Sequence, residues 1–368
     1  MYKEKLPQLK IGNITAEKAI IQGGMGVGIS LSGLASAVAE EGGIGVISSV
    51  ALGLLHEDSG MKYREANLHF LREEIRKAKA KSDGIIGVNI MVALTDYNEL
   101  LKVSIEEEAD VIIMGAGLPL KFPQDINPKN IRRTAFLPIV SSKRAFDIIF
   151  KYWEKAYNRI PDGVIVEGPL AGGHLGYKNH QIEDSAFELE KIIPEVVGSA
   201  KIYEEKYGIE VPVIAAGGVY DGADIDKFLC MGASGVQMGT RFVATHECDA
   251  SLEFKQQYIN SKKKDITIIK SPVGLPGRAI NNGFLEDVSG GRKKPIKCSW
   301  KCLKTCDYRT APYCIADALN NAQRGDFKNG YAFAGANAYR LEEIISVKEL
   351  FTILENEYAL VKALSLSA

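Results

Sequence analysis

Short, almost uninterrupted apolar runs recur along the chain, each ending in small or polar residues. Eight are visible: Ile20 to Gly23, Gly45 to Ser49, Ile85 to Ile90, Val111 to Ala116, Leu137 to Ser142, Gly163 to Gly168, Pro212 to Gly218 and Gly235 to Thr240. A half-exposed strand alternates apolar and polar positions, whereas a strand covered on both faces does not, so these runs predict buried parallel strands. Between them the periodicity becomes helical. LSGLASAVAEEGG follows the first run, YREANLHFLREEIRKAKAKSDG precedes the third and SAFELEKIIPEVVGSAKIYEEKYGI precedes the seventh. Strand–helix alternation with right-handed crossovers builds an open doubly wound sheet or a closed barrel. An open sheet gathers its functional loops at one switch point. Here GGMG, SS, N, GAG, SS, EG, AAGG and MGT end the successive runs, so every strand end carries loop chemistry. The expected fold is an α/β class (β/α)8 TIM barrel, in line with the usual barrel length of about 250 residues.

The barrel is expected over residues 1–245. Beyond it the pattern changes to a helix around CDASLEFKQQYINSKKK, a Gly- and Pro-rich loop SPVGLPGRAINNG, a Cys- and Lys-rich segment at 291–314 and further helical stretches. Residues 246–368 therefore read as a barrel-closing helix and a C-terminal, Cys-containing helical extension packed on the barrel. Hydrophobic residues make 46% and charged residues 25%, as in ordinary globular proteins. The net charge of −1 gives no field to attract nucleic acid or an anionic membrane. Lys262-Lys263-Lys264 and Arg292-Lys293-Lys294 then read as solvated surface. The start, MYKEKLPQLK, is polar with no signal-peptide stretch behind it. No window offers about 18 uninterrupted apolar residues. Six unevenly placed cysteines do not form a secreted disulfide framework. The expected setting is a reducing cytoplasm.

Glycine loops carry the candidate chemistry. Gly23-Gly24-Met25-Gly26-Val27-Gly28 follows the first run, but a dinucleotide fingerprint needs a third glycine where Ile29 stands. What remains is a turn over which a planar cofactor can lie, or simply a flexible turn. Ala215-Ala216-Gly217-Gly218 and Met238-Gly239-Thr240-Arg241 end the seventh and eighth runs. Barrels commonly bind phosphate at these two ends through backbone N–H groups. Gly217, Gly218 and Gly239 leave no Cβ in the way, and the Thr240 hydroxyl adds a donor. A phosphate-bearing ligand is expected there.

The sixth run ends in Glu167-Gly168-Pro169-Leu170-Ala171-Gly172-Gly173-His174. Flanking glycines at the active end of a barrel give His174 little packing to hide in, so it is the candidate catalytic group. Asn89, in GVNIM, offers donor and acceptor edges to a heterocycle, or caps a helix. Lys143 places a cation near the mouth or sits on the surface. Glu167 is the one strand-end carboxylate that stands out, the residue a sugar-phosphate isomerase or aldolase on the same barrel would need.

Taken together, IIQGGMG, GGIGVISS, GVNIM, EGPLAGGHLG, PVIAAGGV and GVQMGTRF resemble the nitronate monooxygenase (2-nitropropane dioxygenase) family, whose close relatives are flavin-dependent enoyl-acyl-carrier-protein reductases. The resemblance runs in register from about residue 8 to about 245. It implies an FMN-binding barrel in which Gly23, Gly24, Met25 and Asn89 contact the flavin and Gly172 and Gly173 border it. Gly217, Gly218, Gly239 and Thr240 hold its phosphate, and His174 matches the catalytic histidine. The implied activity is an FMN oxidoreductase performing oxidative denitrification of alkyl nitronates. The alternative is an NAD(P)H-dependent enoyl-[acyl-carrier-protein] reductase or another NAD(P)H-linked reductase. The expected partners are a small-molecule substrate, nitronate or enoyl thioester, and a second copy of the chain in a homodimer, with neither nucleic acid nor membrane. Two departures stand out. Pro169-Leu170 replaces an acidic residue that many relatives carry, and 291–314 has no counterpart in the family pattern.

Cys298, Cys302, Cys306 and Cys314 crowd that segment. On a helix, a spacing of four puts the first three on one face. Four thiolates suffice for zinc or an iron–sulfur cluster, though no C-x2-C knuckle is present. A reduced, partly buried helix face and a redox-active disulfide are the other readings.

Overall fold

A computed structural model of the chain describes residues 5–56, 59–122, 131–293, 298 and 300–365. All eight apolar runs form strands: β1 Ile20–Gln22, β2 Ile44–Ser48, β3 Ile85–Met91, β4 Val111–Gly115, β5 Ala135–Val140, β6 Val164–Glu167, β7 Val213–Ala216 and β8 Gly235–Met238. They close into a parallel barrel, β8 pairing back to β1 through Val236 with Ile20 and Met238 with Gln22. This is a (β/α)8 TIM barrel.

Continuous apolar runs are needed because the strands face two cores. Ile21, Val46, Ile113, Leu137, Ile165 and Ile214 fill the barrel interior. Their neighbours Ile20, Ile47, Ile86, Ile112, Phe136 and Val164 point outward into the layer under the helices. The floor of the interior is a short antiparallel hairpin, Leu9–Ile11 with Ile14–Ala16, whose Leu9, Ile11 and Ala16 join the inner core. The helices that follow the strands include Ser32–Glu40, Tyr63–Lys81, Tyr97–Glu106, Lys143–Tyr157, Leu189–Tyr207 and Gly222–Cys230. Local chemistry sets several ends. The Ser142 side chain accepts from the Ala145 amide and Asp221 from the Asp224 amide, satisfying first-turn donors, while Gly208 stops its helix at φ +66°.

The place between the first and seventh helices of the ring is taken by Val347–Ser365, near the chain's end. It buries Leu350, Phe351 and Leu354 completely. The helix anticipated just after β8 is Leu252–Ile259, and its Tyr258 lines the cavity at the mouth of the barrel. There a three-stranded antiparallel sheet forms from Gly173–His174, Ile266–Lys270 and Pro276–Ile280. Asp249 ties this region to the barrel by accepting from the amides of Leu31 (2.7 Å), Gly33 (3.1 Å) and Leu34 (3.1 Å). No helix among the described residues is long and apolar enough to cross a membrane.

Candidate active site

The carboxyl ends of the strands open into one cavity of about 300 Å3. His174 and all ten residues expected to hold a cofactor line it, although they come from five different strand ends. Lys143 does not. It opens a surface helix and pairs with Asp147 at 2.7 Å.

The glycines there answer to specific steric demands. A Cβ on Gly24 would lie 2.3 Å from the Cβ of Asn89, so only glycine lets that turn pass the end of β3. Gly217 and Gly218 sit at φ +85° and +107°, a conformation other residues rarely adopt. Outside the strand ladders, the amides of Gly217, Gly218, Gly239 and Thr240 donate to no described backbone carbonyl. They are available to an anion. Opposite them, a Cβ on Gly335 would come within 2.6 Å of the Thr240 hydroxyl, so the C-terminal region closes tightly over this corner.

His174 belongs to the two-residue strand that pairs with Pro276–Ile280, opposite Gly277. Its Nε2 is hydrogen-bonded to the Ser271 hydroxyl at 2.7 Å, and its ring meets Phe333 edge-on, with centroids 5.0 Å apart. Burial pushes its basicity down to about pH 4, so the imidazole is neutral at physiological pH. The loop that delivers it is clamped by buried Arg278, which donates to the carbonyls of Pro169 (2.7 Å) and Ala171 (3.2 Å). Asn337 donates to the Gly218 carbonyl at 2.8 Å. Sequence reasoning missed Ser271, Arg278, Phe333 and Asn337. The glycine- and proline-bearing SPVGLPGR stretch was the available signal for the first two, since such a loop must be held by something.

Glu167, at the end of β6, also lines the cavity, and burial lifts its carboxyl to about pH 7. Among the described residues, the lining side chains Ser48 and Gln237 carry buried polar atoms, Oγ and Oε1, with no hydrogen-bond partner. Buried polar groups are normally paired, so these orphans suit a polar heterocycle. With free glycine amides in one corner, the cavity fits a phosphate-bearing flavin.

The cysteine segment departs from expectation. No helix runs through Cys298–Cys306, although residues 294–297 and 299 lie outside the described residues. The backbone there is committed elsewhere. Thr95 N–H donates to the Cys302 carbonyl at 3.1 Å, Lys304 N–H donates to the Ala93 carbonyl at 2.9 Å, and Lys301 sits at φ +49°. An intrahelical ladder would need those same groups. Among the described residues, no three Cys, His, Asp or Glu side chains converge to hold a metal ion, so a single zinc has no preformed ligand set. All six cysteines are free, and no disulfide forms.

The nitronate monooxygenase family model matches residues 8–357, nearly the whole chain. The chain belongs to the nitronate monooxygenase family. A probable nitronate monooxygenase of Bacillus subtilis is 26% identical over 92% of this chain and 96% of its own. A (3aS,4S,5R,7aS)-5-hydroxy-7a-methyl-1-oxo-octahydro-1H-indene-4-carboxyl-CoA dehydrogenase of Rhodococcus jostii is 27% identical over 75% of this chain. That match spans 66% of the dehydrogenase, just under two thirds of its length. The structure of FabK from Thermotoga maritima superposes with a TM-score of 0.73 at 27% identity, covering 96% of both chains. With this membership the protein is a flavin-dependent oxidoreductase acting on a small molecule.

Proposed function

We propose that the chain is an FMN-dependent nitronate monooxygenase that binds small alkyl nitronates beneath His174. The observation that carries this reading is a half-buried, neutral imidazole, held by Ser271 and Phe333 at the edge of a glycine-walled cavity. Gly217, Gly218, Gly239 and Thr240 are the residues to hold the phosphate, and Gly23, Gly24, Met25, Asn89, Gly172 and Gly173 those to border the ring. When bound, FMN supplies an electron-accepting ring that passes electrons from the substrate to dioxygen.

The rest is the work of this chain's side chains. A neutral imidazole whose conjugate acid titrates near pH 4 is a weak base, poorly suited to remove a proton from carbon. It is well suited to donate one hydrogen bond to an oxygen of an already anionic nitronate. Ser271 on Nε2 and Phe333 on the ring edge fix its orientation. The pre-formed nitronate is therefore the expected substrate, ahead of the neutral nitroalkane. Enoyl reduction would ask His174 for a proton instead, which burial opposes.

The test is anaerobic mixing of the yellow protein with ethyl- or propyl-2-nitronate. Bleaching of the flavin without NAD(P)H is the expected result. A flavin that stays oxidised with nitronate yet bleaches rapidly with NADH would replace this reading by an NAD(P)H-linked reductase.

A further inference from the structure

We infer that Cys298, Cys302, Cys306 and Cys314 are the ligands of an iron–sulfur cluster seated in a second cavity beside the active site. All four line one cavity of about 420 Å3 between the barrel and the C-terminal region.

The geometry separates a cluster from a single ion. Tetrahedral zinc with Zn–S of about 2.3 Å draws its thiolates to within about 3.8 Å of one another. Among the described residues no three His, Cys, Asp or Glu side chains are grouped to hold a single metal ion, whereas all four cysteines border one cavity of about 420 Å3. A polynuclear cluster needs that arrangement, because it spreads its four thiolates over separate corners.

Charge and hydrogen bonding agree. A four-thiolate cluster is anionic, and among the described residues Lys301 and Arg309 line the cavity against one carboxylate, Asp307. Lys301 N–H donates to Cys298 Sγ at 3.4 Å. Cys314 is the N-cap residue of the helix Ile315–Gln323, which fixes its position at the cavity wall. Such N–H donors are among the groups that tune cluster sulfurs. The segment is also anchored, through the Leu94–Leu303 bridge and the Thr95 hydroxyl on the Lys301 carbonyl at 2.9 Å. Cys302, Leu303 and Ile315 line both cavities, so one wall separates the cluster site from the active site.

The full chain, purified without oxygen and then incubated with ferrous iron and sulfide, is analysed for iron, acid-labile sulfide and zinc. About two to four irons and as many sulfides per chain are expected. Cys306→Ser and Cys314→Ser should each lose at least half of both while still unfolding cooperatively. Should a variant aggregate, alkylation of the wild-type chain decides. Cys298, Cys306 and Cys314, the three half-exposed thiols, should resist iodoacetamide when loaded and react after chelation. Less than a tenth of an iron per chain, stoichiometric zinc without sulfide, serine variants with full iron content, or equal alkylation before and after chelation would each overturn the inference. Flavin is quantified separately, so a loaded cluster in a flavin-free protein would sink only the reading of the active site.

Discussion

Two ionisable side chains in the active-site cavity are shifted in opposite directions by the same cause, loss of water. His174 loses its proton near pH 4 and Glu167 near pH 7, so between those values both are neutral. For His174 the sign is that of a lowered value: the working imidazole persists as pH rises and is lost only as pH falls through about 4. Turnover attributable to it should be flat down to about pH 5. His174→Ala should lower kcat by about 10²–10⁴-fold with flavin retained; an unchanged kcat would remove the residue from the chemistry. For Glu167 the value is raised, so a neutral carboxyl is present at low pH and an anion appears as pH climbs through about 7. An anionic substrate is then repelled. KM for a nitronate should be constant below pH 6 and rise above pH 7, and Glu167→Gln should flatten that profile. A profile identical in wild type and variant would assign the rise to another group.

At the scale of elements, the decisive contact is between the His174 loop and the sheet that covers the barrel mouth. Arg278→Ala removes two hydrogen bonds from a charged donor, each worth about 1.5–3 kcal/mol, and frees the Pro169 and Ala171 carbonyls. The expected result is a fall in kcat with flavin affinity nearly unchanged, measured by steady-state kinetics and flavin titration. Gly172→Ala acts by overpacking instead, because its Cβ would lie 2.6 Å from the backbone of Ala334 and Gly335. Overpacking of this kind costs about 1–3 kcal/mol, read as a lower unfolding temperature.

These elements also mark what was legible in the sequence. The eight strands were, because a parallel strand buried on both faces must be apolar throughout. Runs such as Ile85 to Ile90 and Val111 to Ala116 are too apolar for an exposed strand. The gathering of His174 with the glycine loops was legible from their position at strand ends. The covering sheet was not. Ile266–Lys270 is only half-buried, and Pro276–Ile280 carries Pro, Gly and Arg, so neither has a strong local pattern. Both are made strands by tertiary pairing. The helix expected through the cysteines failed for the converse reason. A spacing of four is compatible with a helix, but Thr95 and Ala93 on the barrel loop claim the backbone first.

For the molecule as a whole, the C-terminal region completes both the ring and the site. Val347, Leu350, Phe351, Leu354 and Tyr358 are buried along the last helix. Apolar side chains of this size contribute about 1.5–3 kcal/mol each, against a total stability of about 5–15 kcal/mol. A chain ending at Ser346 should therefore lack a cooperative thermal transition; a sharp one would show that the barrel closes without this helix. The central claim, that glycine backbone at the ends of β7 and β8 holds the phosphate of FMN below His174, is tested most directly by a crystal structure of the yellow protein. The account predicts a phosphate within hydrogen-bond distance of the Gly218, Gly239 and Thr240 amides, with the flavin ring between Gly24 and His174. A phosphate bound elsewhere, or amides at those positions turned away from it, would contradict the account.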